Sequence, residues 1–391
     1  MRIYVTGYGV ISSIGENAEE TLLSLKSEKT GIKQGQKPYT ERFKVGEISW
    51  SNDELADRFG LSQHASRTAL LGMIAAKEAF KGHSISPEIR TGLISGTSVG
   101  GMDVSETAYK DFLKDGSDDL NVYQNHPSGT TSEQIAKELG ITGYVNTIST
   151  ACSSAANSIM LGARMLLSGQ LDRVVAGATD ALSQFTISGF RSLMIFDDEW
   201  CRPFDETRKG LNLGEGAGFL VLETEESIRK SGKQPLAVLS GWSNASDAYH
   251  QTASSPEGFG ATLSMKGALA VAGLKPEDID YINAHGTATP NNDLSESHGI
   301  KTVFGSSVPP FSSTKAYTGH TLAASGGIEA VFAVLALNKG ILLPNLNFGQ
   351  AIEETGLVPV KNYSEGNNIR HILSNSFGFG GNNSTIILSK V

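Results

Sequence analysis

Two stretches decide the fold: YVNTISTACSSAANSIMLGARML at residues 144–166 and PPFSSTKAYTGHTLAASGGIEAVFAVLAL at residues 309–337. Each reads as a strand, a Ser/Thr turn, and then Thr, a small residue and a variable residue opening a helix of small side chains. The variable residue is Cys152 in the first copy and His320 in the second. Ala155, Ile159, Ala163 and Leu167 recur every four positions, which places them on one helix face. Alanines and glycines along both helices allow close approach of neighbouring backbones. The repeat predicts two similar halves, 1–240 carrying Cys152 and 241–391 carrying His320 and a Gly-rich turn.

Working outward, other apolar runs also end in glycines: LISGTSVGG (93–101), VVAGATD (174–180) and ILSNSFGFGG (372–381). Small-residue helices are expected at Ser66–Phe80 and Ser153–Leu167, and a first strand at Arg2–Thr6 running into a glycine turn. Strands alternating with helices, with glycine at the turns, predict an α/β layered fold. No Pro/Ser linker or low-complexity tract divides the chain, so one compact body is expected.

The 391 residues carry a net charge of −9, which argues against nucleic-acid and membrane-surface binding. A local basic patch for an acidic partner remains compatible with that balance. Two cysteines, Cys152 and Cys201, are too few for a disulfide framework. The start, MRIYVTGYGVISSIG, lacks the apolar core of a secretory signal. No apolar run is expected to approach the roughly 18 residues of a membrane span; the longest, Ala330–Leu343, is interrupted by Asn338, Lys339 and Gly340. A soluble, cytoplasmic setting follows.

Cys152 at a strand-to-helix turn suits a nucleophile. Helix N–H groups and the dipole lower a thiol's pKa and can bind an oxyanion. A small buried core cysteine is the alternative. His285 closes an apolar strand in DYINAHGTATPNND (280–293), His320 opens the second repeat helix, Lys315 precedes it, and Glu329 follows. No metal is expected, because close ligand pairs such as CxxC or HExxH are absent. SGTSVGG is no dinucleotide fingerprint, since no GxGxxG follows a strand with a downstream acid. A covalent thiol enzyme with imidazole donors fits the set better.

The ordered motifs VTGYGVISSIG (5–15), TACSSAANSI (150–159), RPFDETRKGLNLGEGAGFLVLE (202–223), YINAHGTATPNND, SSTKAYTGHTLAASGGIEA (312–330) and SNSFGFGGNN (374–383) carry a resemblance. Together they cover nearly the whole chain, and in this order they are highly specific. The chain resembles the elongating β-ketoacyl-acyl-carrier-protein synthases of the thiolase-like condensing enzymes. The resemblance implies a five-layer αβαβα thiolase-like fold and a decarboxylative Claisen condensation of malonyl carrier protein with an acyl chain held on Cys152, in fatty-acid elongation.

By the same resemblance, His285 and His320 donate hydrogen bonds to the developing enolate, Lys315 supplies nearby positive charge, and Glu329 pairs with Lys315. The N–H groups of Cys152 and Phe379 form the oxyanion hole, Phe379 gates the cavity, and Phe377 borders it. Thr287 and Thr289 line the pantetheine tunnel, with Thr314 and Thr318 as further candidates. Asn382 and Asn383 support the Gly-rich turn, the Arg/Asp alternation of RPFDETRKG braces a turn by ion pairing, and Cys201 is a bystander.

No resident cofactor is implied, because phosphopantetheine arrives on the acyl carrier protein. Arg67, Arg191, Arg202, Arg208 and Lys209 are candidates for docking that partner. A homodimer is implied, with a heterodimer containing a ketosynthase-like subunit as the other arrangement. The chain is shorter than typical members before Cys152 and near 194–201, regions that shape the acyl pocket. Its CSSAA segment also resembles polyketide ketosynthases, so a polyene or aromatic pathway is the alternative substrate class. A non-catalytic chain-length factor would lack the nucleophile, and a degradative thiolase would need a second cysteine where SFGFGG stands.

Overall fold

The computed structural model describes residues 1–62, 65–116 and 120–391. Its ten-stranded mixed sheet is built from β1 (Ile3–Ser12), β2 (Thr91–Gly96), β3 (Val145–Ile148), β4 (Arg173–Asp180) and β5 (Gly216–Thr224), then β6 (Ala237–Ser246), β7 (Tyr281–Asn283), β8 (Phe311–Ser312), β9 (His371–Gly378) and β10 (Asn382–Ser389). The spatial order is β8-β7-β9-β10-β6-β1-β5-β4-β2-β3. From the junction of β6 with β1 outward, one side reads β1-β5-β4-β2-β3 and the other β6-β10-β9-β7-β8. The second side repeats the first with five added to each label. Directions repeat too: β3, β2 and β4 are parallel, as are β8, β7 and β9, while the remaining pairs are antiparallel.

Helices repeat in step. α1 (Arg67–Ala79), α2 (Ser128–Glu138) and α3 (Ser154–Leu167) belong to the first side; α4 (Phe259–Ala272), α5 (Pro290–Phe304) and α6 (Ser325–Lys339) belong to the second. α1 lies on β1 and β5, and α4 on β6 and β10, while α3 and α6 touch each other and strands of both sides. The layers are therefore helix, sheet, helix, sheet, helix. Ile159 and Ala163 of α3 share one cluster with Val331, Phe332 and Leu335 of α6 and with Val174, Leu220 and Ile386 from the sheet. Burying each large apolar side chain there contributes about 1.5–3 kcal/mol.

Three expectations change. The first strand continues through Gly7 and Gly9 to Ser12 rather than turning after Thr6. Those glycines serve packing: a Cβ would sit 2.1 Å from Ala79 O at Gly7 and 2.1 Å from Ala75 O at Gly9, so α1 could not lie on the strand. The residues Leu322–Lys339 do form an 18-residue apolar helical run with mean hydropathy 1.3. Asn338 and Lys339 fall at its end, and 89% of it is buried, because it is the central layer between the sheet's two sides. Arg67 is no docking residue: it is 3% exposed and grips Glu215 with two 2.8 Å hydrogen bonds while donating to Ile48 O and Trp50 O.

Candidate active site

Cys152 lies on the turn between β3 and α3, just after Ala151 at φ +52°. A positive φ is costly for a residue with a Cβ, and such strain gathers at functional turns. His320 occupies the equivalent turn before α6. Its backbone is held on both sides, donating to Asn212 O at 2.7 Å and accepting from Gly214 N at 3.0 Å. The two turns meet, with His320 Nε2 3.1 Å from Cys152 Sγ.

Leu322 N donates to His320 Nδ1 at 3.2 Å. A backbone N–H can only donate, so Nδ1 is the bare nitrogen and the neutral ring carries its proton on Nε2, toward the sulfur. Ser325 Oγ, 3.0 Å from Nδ1, adds a second contact there. His285 lies two residues beyond β7; its ring centroid is 5.4 Å from that of His320 in an edge-on arrangement and 5.7 Å from Phe377. Burial, then the charge of Lys315, pushes the pKa of both imidazoles well below the usual histidine range, and His320 adds to the effect at His285. Both rings are neutral hydrogen-bonding groups rather than cations.

Lys315 Nζ meets Glu329 Oε1 at 2.6 Å, and both side chains are buried. Burial lifts the Glu329 carboxyl to about 7 against the opposing pull of Lys315. The Cys152 thiol departs from the expected lowering. Burial pushes it up to about 11, outweighing the charge of Lys315 and the N–H groups of Phe379 and Cys152 that reach the sulfur. Loss of water thus wins over the helix terminus. Gly378 lets the Gly-rich turn come this close: a Cβ there would lie 2.9 Å from Thr150 O and 3.2 Å from Cys152 N.

A cavity of about 390 Å³ opens onto Cys152, His285 and His320. Phe377, Phe379, Thr287 and Thr289 line it; the two threonine hydroxyls bond each other at 2.8 Å, and Phe379 stacks on Phe190. Thr314 and Thr318 are buried and do not line the cavity; the Thr318 hydroxyl is turned onto Gly319 O at 2.9 Å. Lys209 is at the mouth, and Arg191 borders an adjoining depression with Arg42 and Met194. Arg202 bonds Thr207, and Arg208 bonds the carbonyls of Asp205 and Pro290.

The RPFDETRKG brace works through hydrogen bonds rather than ion pairs: Asp205 accepts from the N–H groups of Thr207, Gly349 and Gln350. Cys201 is buried, with its sulfur 3.8 Å from Lys315 O. Asn382 Oδ1 accepts from Ser153, Asn157 and Asn244, tying the start of β10 to β6 and to the first turn of α3, just after Cys152. Asn383 bonds Gly381 O.

The sequence reading missed two carboxylates in the HGTATPNNDLSE stretch. Glu296 accepts from the N–H groups of His285 and Gly286 and from Asn375 Nδ2. Asp293 accepts from Phe204 N and Ala288 N. Their spacing of three residues on α5, just after His285, was the available signal.

The model for the β-ketoacyl synthase N-terminal domain matches residues 1–227, and that for the β-ketoacyl synthase C-terminal domain matches residues 236–349. The chain belongs to the β-ketoacyl synthase family. This β-ketoacyl synthase is 34% identical to 3-oxoacyl-[acyl-carrier-protein] synthase 2 of Staphylococcus aureus (strain MRSA252), over 100% of its own length and 98% of that protein. It superposes on the ishigamide ketosynthase/chain length factor with a TM-score of 0.91 at 29% identity, covering 100% of this chain and 99% of that one. A ketosynthase bound to its hexaketide, in complex with a type II polyketide acyl-carrier protein, superposes with a TM-score of 0.89 at 26% identity, covering 100% and 99%. The synthase has the thiolase-like α/β fold and is a condensing enzyme of the acyltransferase class.

Proposed function

We propose that this synthase elongates acyl chains in the cytoplasm by condensing malonyl carrier protein with an acyl group held on Cys152. The 3.1 Å approach of His320 Nε2 to Cys152 Sγ, at the end of a cavity that His285 also lines, carries the reading. Phosphopantetheine is the carrier's own arm, entering past Thr287 and Thr289.

In the first step Sγ attacks the acyl thioester, the carrier's C–S bond breaks, and the thiol proton of Cys152 ends on the departing pantetheine sulfur. Thioester replaces thioester, so the acyl group stays activated. The malonyl C–C bond to its carboxylate then breaks and carbon dioxide leaves with no electrons from that bond. The pair becomes an enolate, whose oxygen takes hydrogen bonds from His285 and His320. Neutral, desolvated imidazoles suit this task because their N–H groups are already fixed where charge appears. The enolate carbon attacks the acyl-Cys152 carbonyl, whose oxyanion meets the N–H groups of Cys152 and Phe379. The Cys152 C–S bond breaks, and the departing thiolate takes one proton from solvent, the proton that decarboxylative condensation consumes in each turnover. Lys315, held by Glu329, biases the site toward negative charge.

Fatty-acyl elongation is the first reading, supported by the 34% relationship over the full chain. A second reading, polyene or aromatic polyketide work, draws on the ketosynthase relatives and the CSSAA segment. Lys209 at the mouth and Arg191 beside the adjoining depression are the proposed carrier contacts. The free edge at β3, with Tyr144 beside it, supports pairing with a second copy or with a ketosynthase-like subunit. Incubation with acyl carrier proteins of graded chain length plus malonyl carrier, read by mass spectrometry of the products, tests the activity. A 3-oxoacyl carrier two carbons longer is expected; return of unaltered substrates from every carrier would refute it.

A further inference from the structure

Asp180 closes the VVAGATD stretch at the end of β4; it is fully buried and has no role in the chemistry described so far. Among the described residues its carboxylate collects only neutral donors. Oδ1 accepts Thr97 Oγ1 at 2.6 Å, Ser98 N at 2.9 Å and Val99 N at 3.2 Å, and Oδ2 accepts Ala323 N at 2.8 Å. Three of these four donors come from the loop after β2, in the first half of the chain. The fourth comes from the turn that follows His320, in the second half.

That turn is strained. Leu322 has φ +54°, and its N–H is the group that caps His320 Nδ1. A non-glycine residue in this region costs on the order of 1–3 kcal/mol and persists only where its surroundings hold it. Ala323 is the next residue, so its bond to Asp180 pins the strained peptide from the far side. If Leu322 relaxes, Nδ1 loses its backbone donor and the ring proton is no longer confined to Nε2.

We propose that Asp180 is a positioning residue: through Ala323 N–H it locks the turn that keeps the His320 proton on Nε2, facing Cys152. This rests on the donor role proposed for His320. Burial lifts the Asp180 carboxyl to about 6 against its hydrogen bonds, so it is ionised at neutral pH and able to accept from all four donors. The titratable and charged neighbours of this arrangement are Cys152, whose thiol Asp180 pushes up, His320 across the turn, His285 edge-on to that ring, and Lys315 paired with Glu329.

The test is Asp180→Asn in the full-length enzyme, which nearly preserves shape but turns an N–H₂ toward backbone donors. Three quantities are read: mass gain on Cys152 from acyl carrier, carbon dioxide release from malonyl carrier, and the ¹⁵N signals of His320, assigned against His320→Asn. Acylation is expected to stay within about threefold of wild type, and KM for malonyl carrier within about twofold. The decarboxylation kcat should fall about 10²-fold, the scale of losing one preorganised donor. The His320 signals should move from the Nε2–H form toward a mixture.

An unchanged His320 spectrum, or equal loss of both half-reactions, overturns the proposal. Wild type that neither acylates nor decarboxylates would instead sink the functional reading. Should Asp180→Asn not fold, wild type titrated from pH 7.5 to 5 decides. The Nε2–H signature and decarboxylation should fade together through about pH 6; decarboxylation lost with the signature intact, as protonation of Glu329 near 7 would give, or persistence of both to pH 5, overturns the assignment.

Discussion

Replacing Gly378 with alanine is the sharpest probe of the contact between the Gly-rich turn and the Cys152 turn. The added Cβ would lie 2.9 Å from Thr150 O, 3.2 Å from Cys152 N and 3.3 Å from Ser153 N. All three neighbours are backbone atoms, so no side chain can swing aside. The turns must separate by a few tenths of an ångström, and overpacking of this kind costs about 1–3 kcal/mol of stability. The catalytic effect should be larger. The Phe379 N–H follows Gly378 directly, and moving one oxyanion donor out of range costs about 10²–10³-fold. Urea unfolding reads the first term, and single-turnover transfer from acyl-Cys152 to malonyl carrier reads the second. Carbon dioxide release should fall less than tenfold, because His285 and His320 belong to other segments. Condensation within threefold of wild type would refute the reasoning, since Phe379 N–H would then not serve the acyl oxygen.

The buried thiol, lifted to about 11, should react with iodoacetamide about tenfold faster for each pH unit between 7 and 10; a plateau below pH 8 would show a preformed thiolate. Arg67→Met should destabilise the fold by about 3 kcal/mol near neutral pH, because buried Glu215 loses both 2.8 Å bonds to the guanidinium and keeps only Lys37, 3.9 Å away, as a cation, seen as a lower urea midpoint. Burial raises the Glu215 carboxyl, but Arg67 and then Lys37 outweigh it and hold it at about 2, below its ordinary 4.5. The stability that Glu215 contributes is present above pH 4.5 and lost as pH falls toward 2, so the gap from wild type should close in acid; a gap independent of pH contradicts this. His285→Ala should slow carbon dioxide release by about 10²-fold while Cys152 still gains acyl mass; the opposite pattern would reverse the assigned roles.

Much of this site was legible because its residues sit in local, ordered contexts. Cys152 and His320 announce themselves by matching positions before two small-residue helices, and the structure shows those helices side by side between the two sides of the sheet. The pairing of Lys315 with Glu329, implied by the resemblance, corresponds to a buried contact of 2.6 Å. What escaped depends on approach in space. Gly7 and Gly9 read as a turn, yet they are strand residues cleared for α1 to lie against. Arg67 looked like surface charge because its partner, Glu215, is 148 residues away. Asp180 followed an apolar strand, and nothing local marks its bond to Ala323. The thiol's raised pKa reflects total burial, which the helix-terminus argument alone does not contain.

The central claim is that Cys152 carries the acyl group. Intact-protein mass spectrometry after mixing wild type and Cys152→Ala with a panel of acyl carrier proteins tests it directly. The account predicts a mass gain equal to one acyl group on wild type, absent from the variant, and discharged when malonyl carrier is added. A gain that survives in Cys152→Ala, or no gain on wild type from any donor, would contradict it.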